Sequence, residues 1–420
     1  MPRLTASRLL YAILVKNQPL DDAFATEPRM PHLEARDKAF ARALVLCCLR
    51  HLGQIDALID SCLERPLPKS GQSARMLLRL GVAQMAFFDV PDHAAISTTV
   101  EMSRHPKSKA AAFSKLINAV LRRLQREGLA ELLSRIPADA NEPDWLIKDW
   151  RAYFGDEVAS AIAAANALEP ATDLTIKPGL DPASQAVELG GTPTALGQVT
   201  LPTGIGAIEK LPGYAKGNWW VQDRAAALPA RLLGGLADKR VADLCAAPGG
   251  KTLQLAAQGA RVTALDRSAK RLKRLKENLK RCHLSGTVQV VTADAARWRP
   301  EDPLDAVLLD APCSATGTLR RHPDIRFSKS EADVAKLARV QADLLTAAFE
   351  MLKPGGTLVY CVCSMQASEG PGVIEPFRDR LDPISAADIP GLEDAAIREG
   401  CLVTRPDLGM DGFFAARFRK

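Results

Sequence analysis

The chain of 420 residues is long enough for two or three domains, each with its own core. It is 47% hydrophobic and 25% charged, as globular proteins are, and no apolar run approaches the roughly 20 residues that span a bilayer. Without a signal-peptide pattern at the N-terminus, and with nine cysteines in no paired framework, it reads as a cytoplasmic protein with reduced thiols.

Residues 1–135 hold 20 Lys/Arg against 13 Asp/Glu, so this third alone supplies +7 of a net +6. A local basic excess of this kind suits an anionic polymer as partner, or a solvated surface. The pattern here is helical. Between Ala39 and Leu63 core-type residues (Phe40, Leu44, Cys47, Cys48, His51, Ile55, Leu58, Ile59) recur at helical spacing, and Pro66 and Pro68 end the run. Ser73 is placed to cap a helix through Met76, Leu77, Leu80 and Met85. Pro91 and Pro106 punctuate the next segments, and Leu116, Ile117, Val120, Leu121 and Leu124 share one face of the last. These features predict a helical bundle. The phrases Glu34-Ala-Arg-Asp37, Leu49-Arg50, Leu78-Arg-Leu-Gly81 and Ile117-Asn-Ala-Val-Leu-Arg-Arg123 resemble the NusB family of RNA-binding helical domains. By that resemblance the domain grips RNA. Arg50, Arg122 and Arg123 are equally readable as solvated or capping charges.

Residues 136–230 are less regular. Helices are expected from Pro143 to Trp150 and from Ala159 to Leu168, then short β-prone runs among Gly, Pro and Thr, as in a small mixed α/β connecting subdomain. Trp219 and Trp220 could stack on bases, though packing is the simpler role, and Gln222-Asp223 caps a helix to about Leu233. Within residues 231–420 strand and helix then alternate. Val241–Leu244, Val262–Leu265, Val288–Val291, Ala306–Leu309 and Thr357–Tyr360 are short apolar runs, as buried parallel strands should be. The fold class is therefore α/β, a doubly wound Rossmann-like sheet preceded by an all-α domain. The intervening helix Lys270–Arg281 has a basic outer face, usually only solvated and a secondary candidate for phosphate contacts.

In such sheets ligands lie beyond the carboxyl ends of the strands. The first predicted strand runs into Cys245-Ala246-Ala247-Pro248-Gly249-Gly250-Lys251, where two glycines would let a cofactor approach bare main chain near a helix N-terminus. The second ends at Asp266, an acceptor for ribose hydroxyls; the third is followed by Asp294, suited to an adenine amino group; the fourth ends at Asp310. Carboxylates here would repel a pyrophosphate, and the turn matches neither G-x-G-x-x-G nor a P-loop. S-adenosylmethionine, with its cationic sulfonium, fits better than a dinucleotide. No His/Cys spacing suggests a metal. Cys313 and Cys363 follow the fourth and fifth strands. A thiol is needed when C5 of a pyrimidine is methylated, because adding sulfur at C6 makes C5 nucleophilic, and an acid such as Asp310 can donate to N3. Either thiol alone could be a core filler.

The phrases Asp243-Leu-Cys-Ala-Ala-Pro-Gly-Gly-Lys-Thr252, Asp310-Ala-Pro-Cys-Ser314, Arg320-Arg-His-Pro-Asp-Ile-Arg326, Leu358-Val-Tyr-Cys-Val-Cys-Ser364 and Asp411-Gly-Phe-Phe-Ala-Ala416 resemble the Sun/RsmB family of RNA cytosine-5 methyltransferases. With a NusB-like domain, the resemblance is to the bacterial branch acting on small-subunit ribosomal RNA. It implies that Cys245–Lys251, Asp266, Asp294 and Asp310 bind S-adenosylmethionine, that Cys363 is the nucleophile and that Cys313 assists product release. Arg320, Arg321 and Asp324 would approach the RNA. The chain departs from the family by having Cys361-Val362, rather than Ser or Ala and then Thr, before the nucleophile; Cys361 is expected to pack. Two other readings stand beside this one: a DNA cytosine-5 methyltransferase, in which the cysteine after the fourth strand attacks, and a non-catalytic RNA-binding or ribosome-assembly factor.

Overall fold

The computed structural model describes residues 1–105, 108–392 and 396–420; Pro106, read above as a break, lies outside the described residues. The chain divides into two compact units, Met1–Leu168 with Leu319–Lys329 and Glu169–Thr318 with Ser330–Lys420.

The first unit is helical. The run expected as one helix from Ala39 is two, Ala35–Arg50 and Leu52–Ser61, because His51 leaves helical geometry (φ −107°, ψ 20°) and stacks on Phe87 with ring centroids 3.8 Å apart. The next helix starts at Gln72 with Gly71 at the cap, so Ser73 sits in its first turn instead. Helix Ser114–Glu127 buries Ile117, Val120, Leu121 and Leu124 and ends at Gly128, whose φ of +84° favours glycine. On its outer surface Arg123 pairs with Glu127, and Arg122 donates to Gln125. Helices Asp144–Phe154 and Asp156–Ala167 belong to this unit.

So does the segment Leu319–Lys329. Arg326 forks onto Glu142 with two bonds of 2.7 Å, both side chains wholly buried, and Phe327 packs against the bundle core. Asp324 Oδ2 accepts from the Leu20 amide at 3.0 Å, and Arg50 donates to the Arg320 carbonyl at 3.0 Å. This corrects the expectation that Arg320 and Asp324 reach RNA: both are buried, while Arg321 is exposed. Spacing alone could not reveal it, since the partners lie hundreds of residues away.

The second unit opens with a small antiparallel sheet of β1 (Thr172–Ile176), β2 (Thr192–Pro193), β3 (Gln198–Leu201) and β4 (Trp219–Val221), in the order β2-β3-β1-β4. Trp219 and Trp220 are buried, their indole N–H groups donating to the Pro212 carbonyl and to Gln222 at 2.8 Å each. They serve packing, not base stacking.

The large sheet contains β5 (Arg240–Leu244), β6 (Arg261–Asp266), β7 (Val288–Thr292), β8 (Leu304–Asp310), β9 (Leu352–Val362), β10 (Ile397–Arg398), β11 (Cys401–Thr404) and β12 (Phe413–Arg419). Its order is β10-β11-β12-β9-β8-β5-β6-β7. The five expected strands, β5 to β9, are parallel; the last three add an antiparallel edge that the sequence pattern does not disclose. From β5 the chain winds outward through β6 and β7, then returns to β5's other side for β8 and β9. The loops after β5 and β8 therefore diverge, and a crevice opens at their carboxyl ends. Helix Ala269–Arg281 covers the outward half through Leu272, Leu275 and Leu279. Among the described residues, no helix is long and apolar enough to cross a membrane, and no cluster of His, Cys, Asp and Glu could hold a metal.

Candidate active site

The turn after β5 is built by backbone geometry. Cys245 has φ +63°, a left-handed conformation uncommon for a side-chain-bearing residue, and Gly249 has φ +107°. The Ala246 amide donates to the Leu265 carbonyl at 2.9 Å, tying the turn to β6. Gly249 also answers a packing constraint within the protein. A Cβ on Gly249 would lie 2.9 Å from Leu275 Cγ, too close to fit, so this glycine is needed for packing against the protein itself, whereas one on Gly250 would only touch Gln222 Cδ at 3.4 Å. The helix Gly250–Ala257 that follows is anchored from below, where Gln222 donates to Gln254 at 2.7 Å and Gln254 to the Ala227 carbonyl at 2.9 Å.

Carboxylates surround this turn. Asp243, wholly buried on β5, accepts from Thr252 at 2.5 Å through Oδ2, while its Oδ1 has no hydrogen-bond partner among the described residues. Burial pushes its carboxyl up to about 7, with the Thr252 bond opposing. Asp266 accepts from the Ala247 and Ser268 amides at 3.3 and 2.8 Å and from Arg271 at 2.9 Å. Arg271 also donates to the Ala247 carbonyl. Asp294 is exposed two residues past β7, its side chain accepting from the Ala296 amide at 3.0 Å. Asp310 accepts from Lys251 at 2.9 Å. Burial works against the Lys251 ammonium, but Asp310 beside it prevails and the pKa is raised. Cys245 stays a thiol, pushed up to about 12 by burial and then by Asp310, Asp266 and Asp243.

Pairing of β8 with β9 places Asp310 opposite Cys361 and carries both chain ends to the same edge. There Cys313 and Cys363 Sγ lie 3.5 Å apart, both half-buried. The Cys363 contact, then burial, raises the Cys313 pKa well above that of an ordinary thiol. Cys361 is fully buried and donates to Asp310 at 3.5 Å, so it packs as expected but also touches the site. The loops are pressed together by glycine: the Gly317 amide donates to the Cys363 carbonyl at 3.0 Å, the Gly412 amide to the Gly317 carbonyl at 2.8 Å, and a Cβ on Gly317 would collide with Gly412.

The sequence-predicted residues thus gather in one unit: Cys245–Lys251, Asp266, Asp310, Cys313 and Cys363 around the crevice, with Asp294 after the adjoining β7. Two residues at the site escape the sequence pattern. Arg271 lies on the helix read only for its basic face. Glu369, wholly buried, accepts from Ser314, Ser364 and Gln341 beside the thiols. Its only sequence signal is an acid shortly after Cys363-Ser364, and nothing in the spacing links it to Ser314.

Comparison with known proteins agrees with this architecture. Residues 230–419 match the model of the family described as 16S rRNA methyltransferase RsmB/F, and residues 1–126 that of the NusB family. Relatives named ribosomal RNA small subunit methyltransferase B include one from Xanthomonas campestris pv. campestris, 35% identical with 100% of this chain and 97% of that protein covered. Another, from Pseudomonas syringae pv. tomato, is 35% identical over the same shares. Among solved structures, PH0851 superposes with a TM-score of 0.74 at 23% identity, covering 100% of this chain and 99% of that one. NSun6 from Pyrococcus horikoshii with SFG gives 0.57 at 20% identity, covering 66% and 98%. Full-length identity at this level, on this fold, places the chain in the RsmB family of methyltransferases.

Proposed function

We propose that the protein transfers a methyl group from S-adenosylmethionine to C5 of a cytosine in small-subunit ribosomal RNA, through a covalent bond between Cys363 and C6. The observation that carries this reading is the 3.5 Å approach of Cys313 and Cys363 at the ends of adjacent parallel strands, beside Asp310. Methylation at oxygen or nitrogen needs no thiol, whereas C5 does. The names of the relatives support ribosomal RNA as the substrate. In this reading residues 1–135 grip RNA, 136–230 connect, and 231–420 carry the chemistry, in the cytoplasm.

The crevice residues fit the methyl donor. Asp266 offers about four acceptor positions, of which two meet main-chain amides, and Arg271, 55% exposed, is the contact that ribose hydroxyls would replace. Asp243 Oδ1 is an unfilled buried acceptor beside the turn. Cys245–Lys251, Asp266, Asp294 and Asp310 would hold the cofactor, which supplies an electrophilic methyl group on a cationic sulfur.

Cys363 adds as thiolate to C6, and the displaced π electrons make C5 nucleophilic. The Lys251 ammonium, held in place by Asp310, meets the negative charge that develops toward N3. Once C5 is methylated, its proton leaves to solvent, the C5–C6 double bond re-forms and Cys363 is expelled. Cys313, held as a thiol, protonates the departing sulfur. Denaturing gels with labelled RNA test the assignment. Cys363→Ala should form no adduct, and Cys313→Ala should accumulate one; the reverse pattern would make Cys313 the nucleophile.

A further inference from the structure

We propose that Glu369 is a positioning residue that ties together the loops bearing Cys313 and Cys363, and that its charge acts at Cys313. The inference rests on the cysteine chemistry proposed above. Glu369 Oε1 accepts from the Ser314 amide at 2.8 Å and from Gln341 at 3.0 Å; Oε2 accepts from the hydroxyls of Ser314 and, at 2.5 Å, Ser364. Ser314 directly follows Cys313, and Ser364 directly follows Cys363. One carboxylate therefore holds the residue next to each thiol, and the two serine hydroxyls also meet at 3.1 Å. The Glu369 carbonyl is fixed in turn by Tyr360, whose hydroxyl donates to it at 2.5 Å and to Gln341 at 3.2 Å.

Two of the four contacts come from N–H groups, which only donate, and the two serine hydroxyls complete the shell. A wholly buried carboxylate is costly unless fully hydrogen-bonded, and an apolar residue would fill the same space more cheaply. What an apolar residue could not do is bind both loops at once and set a field at Cys313. The groups facing Cys313 are Cys363 from the end of β9, Tyr360 within it, and Glu369. Glu369, held on the residue next to Cys313, thus opposes ionisation there. Reacting groups must be held to within about 0.5 Å, so releasing the tie should cost turnover without touching the cofactor residues.

The test compares Glu369→Gln, which keeps shape and loses charge, with Glu369→Asp, which keeps charge and loses reach. Iodoacetamide alkylation of Cys313 in the full chain is followed against pH by peptide mass spectrometry, alongside kcat and the KM for S-adenosylmethionine. Both variants should lose about tenfold or more in kcat with KM within about twofold. Only Glu369→Gln should move the Cys313 midpoint to lower pH. Wild-type kcat in either folded variant, or an unmoved midpoint in Glu369→Gln, would overturn the proposal. Should Glu369→Gln not fold, Ser314→Ala/Ser364→Ala removes the hydroxyl ties and keeps the carboxylate; it should lower kcat at unchanged KM, and wild-type kcat would again overturn it. Alkylation needs no methyl transfer. If Cys363→Ala turns over, the cysteine chemistry fails by itself, while the Cys313 midpoint still decides for or against Glu369.

Discussion

Lys251 donates to Asp310 across 2.9 Å and so joins the turn after β5 to the end of β8. The same ammonium stands 4.8 Å from the centroid of the Phe413 ring on β12, so three strands converge on one charge. A group held this way is ready before substrate arrives, which is what electrostatic stabilisation requires.

Replacing that ammonium should therefore damage the chemical step. Lys251→Met is expected to lower the single-turnover rate about 10²- to 10³-fold at saturating S-adenosylmethionine. Single-turnover transfer of a labelled methyl group to RNA measures it, and a rate within a few-fold of wild type would remove Lys251 from the mechanism.

Asp266 and Arg271 should behave oppositely although they are ion-paired. Asp266→Ala removes a charge-assisted acceptor worth roughly 1.5–3 kcal/mol, a loss of about ten- to a hundredfold in cofactor affinity. Arg271→Ala frees the carboxylate and should leave affinity unchanged or raise it. Calorimetric titration of both variants decides; a large loss in Arg271→Ala would mean that the guanidinium is itself a cofactor ligand.

Asp243 should imprint a pH dependence on stability. Its folded pKa, about 7, lies above the ordinary carboxylate value, so between roughly pH 4 and pH 7 the folded chain holds a proton that the unfolded chain has shed. Stability contributed by this group is present below pH 4 and is lost as pH rises to 7, by roughly 2–4 kcal/mol. Urea unfolding of wild type and Asp243→Asn at pH 5 and pH 8 reads the difference: the variant's gain in stability should be larger at pH 8.

How much of this is legible in the sequence depends on the range of the interaction. β5 to β9 each contain a short apolar run, and the residues after each are read directly once the strands are placed, so the crevice residues are accessible from local pattern. The role of Gly249 is not, because the atom it avoids, Leu275 Cγ, belongs to a helix beyond the next strand. β11 and β12 escape because one is only four residues long and the other carries two arginines among its apolar positions. Glu369 is invisible for the same reason as the Arg326–Glu142 pair: each joins segments that only the tertiary fold brings together.

That buried pair gives a stability prediction for the helical unit. Arg326→Met would leave Glu142 wholly buried with Asn166, at 3.4 Å, as a side-chain donor among the described residues. The cost should be about 3–5 kcal/mol, whereas Arg326→Met combined with Glu142→Leu should recover most of it. Thermal unfolding of the single and double variants measures both; equal losses would show that the pair's charges are not what matters.

The path of the chain through Leu319–Lys329 also bears on how such a protein can be cut and inherited. It leaves the catalytic unit at Thr318, five residues beyond Cys313, and re-enters at Ser330, whose hydroxyl caps the helix Glu331–Met351 that bears Gln341. The helical unit is therefore no detachable appendage. A fragment starting at Glu169 would keep every crevice residue yet strand Arg326, Asp324 and Phe327 without their partners, inside a connection that begins beside one thiol and ends on the helix steadying Glu369. Cutting this chain at a single boundary would therefore leave both halves with buried groups that have lost their partners.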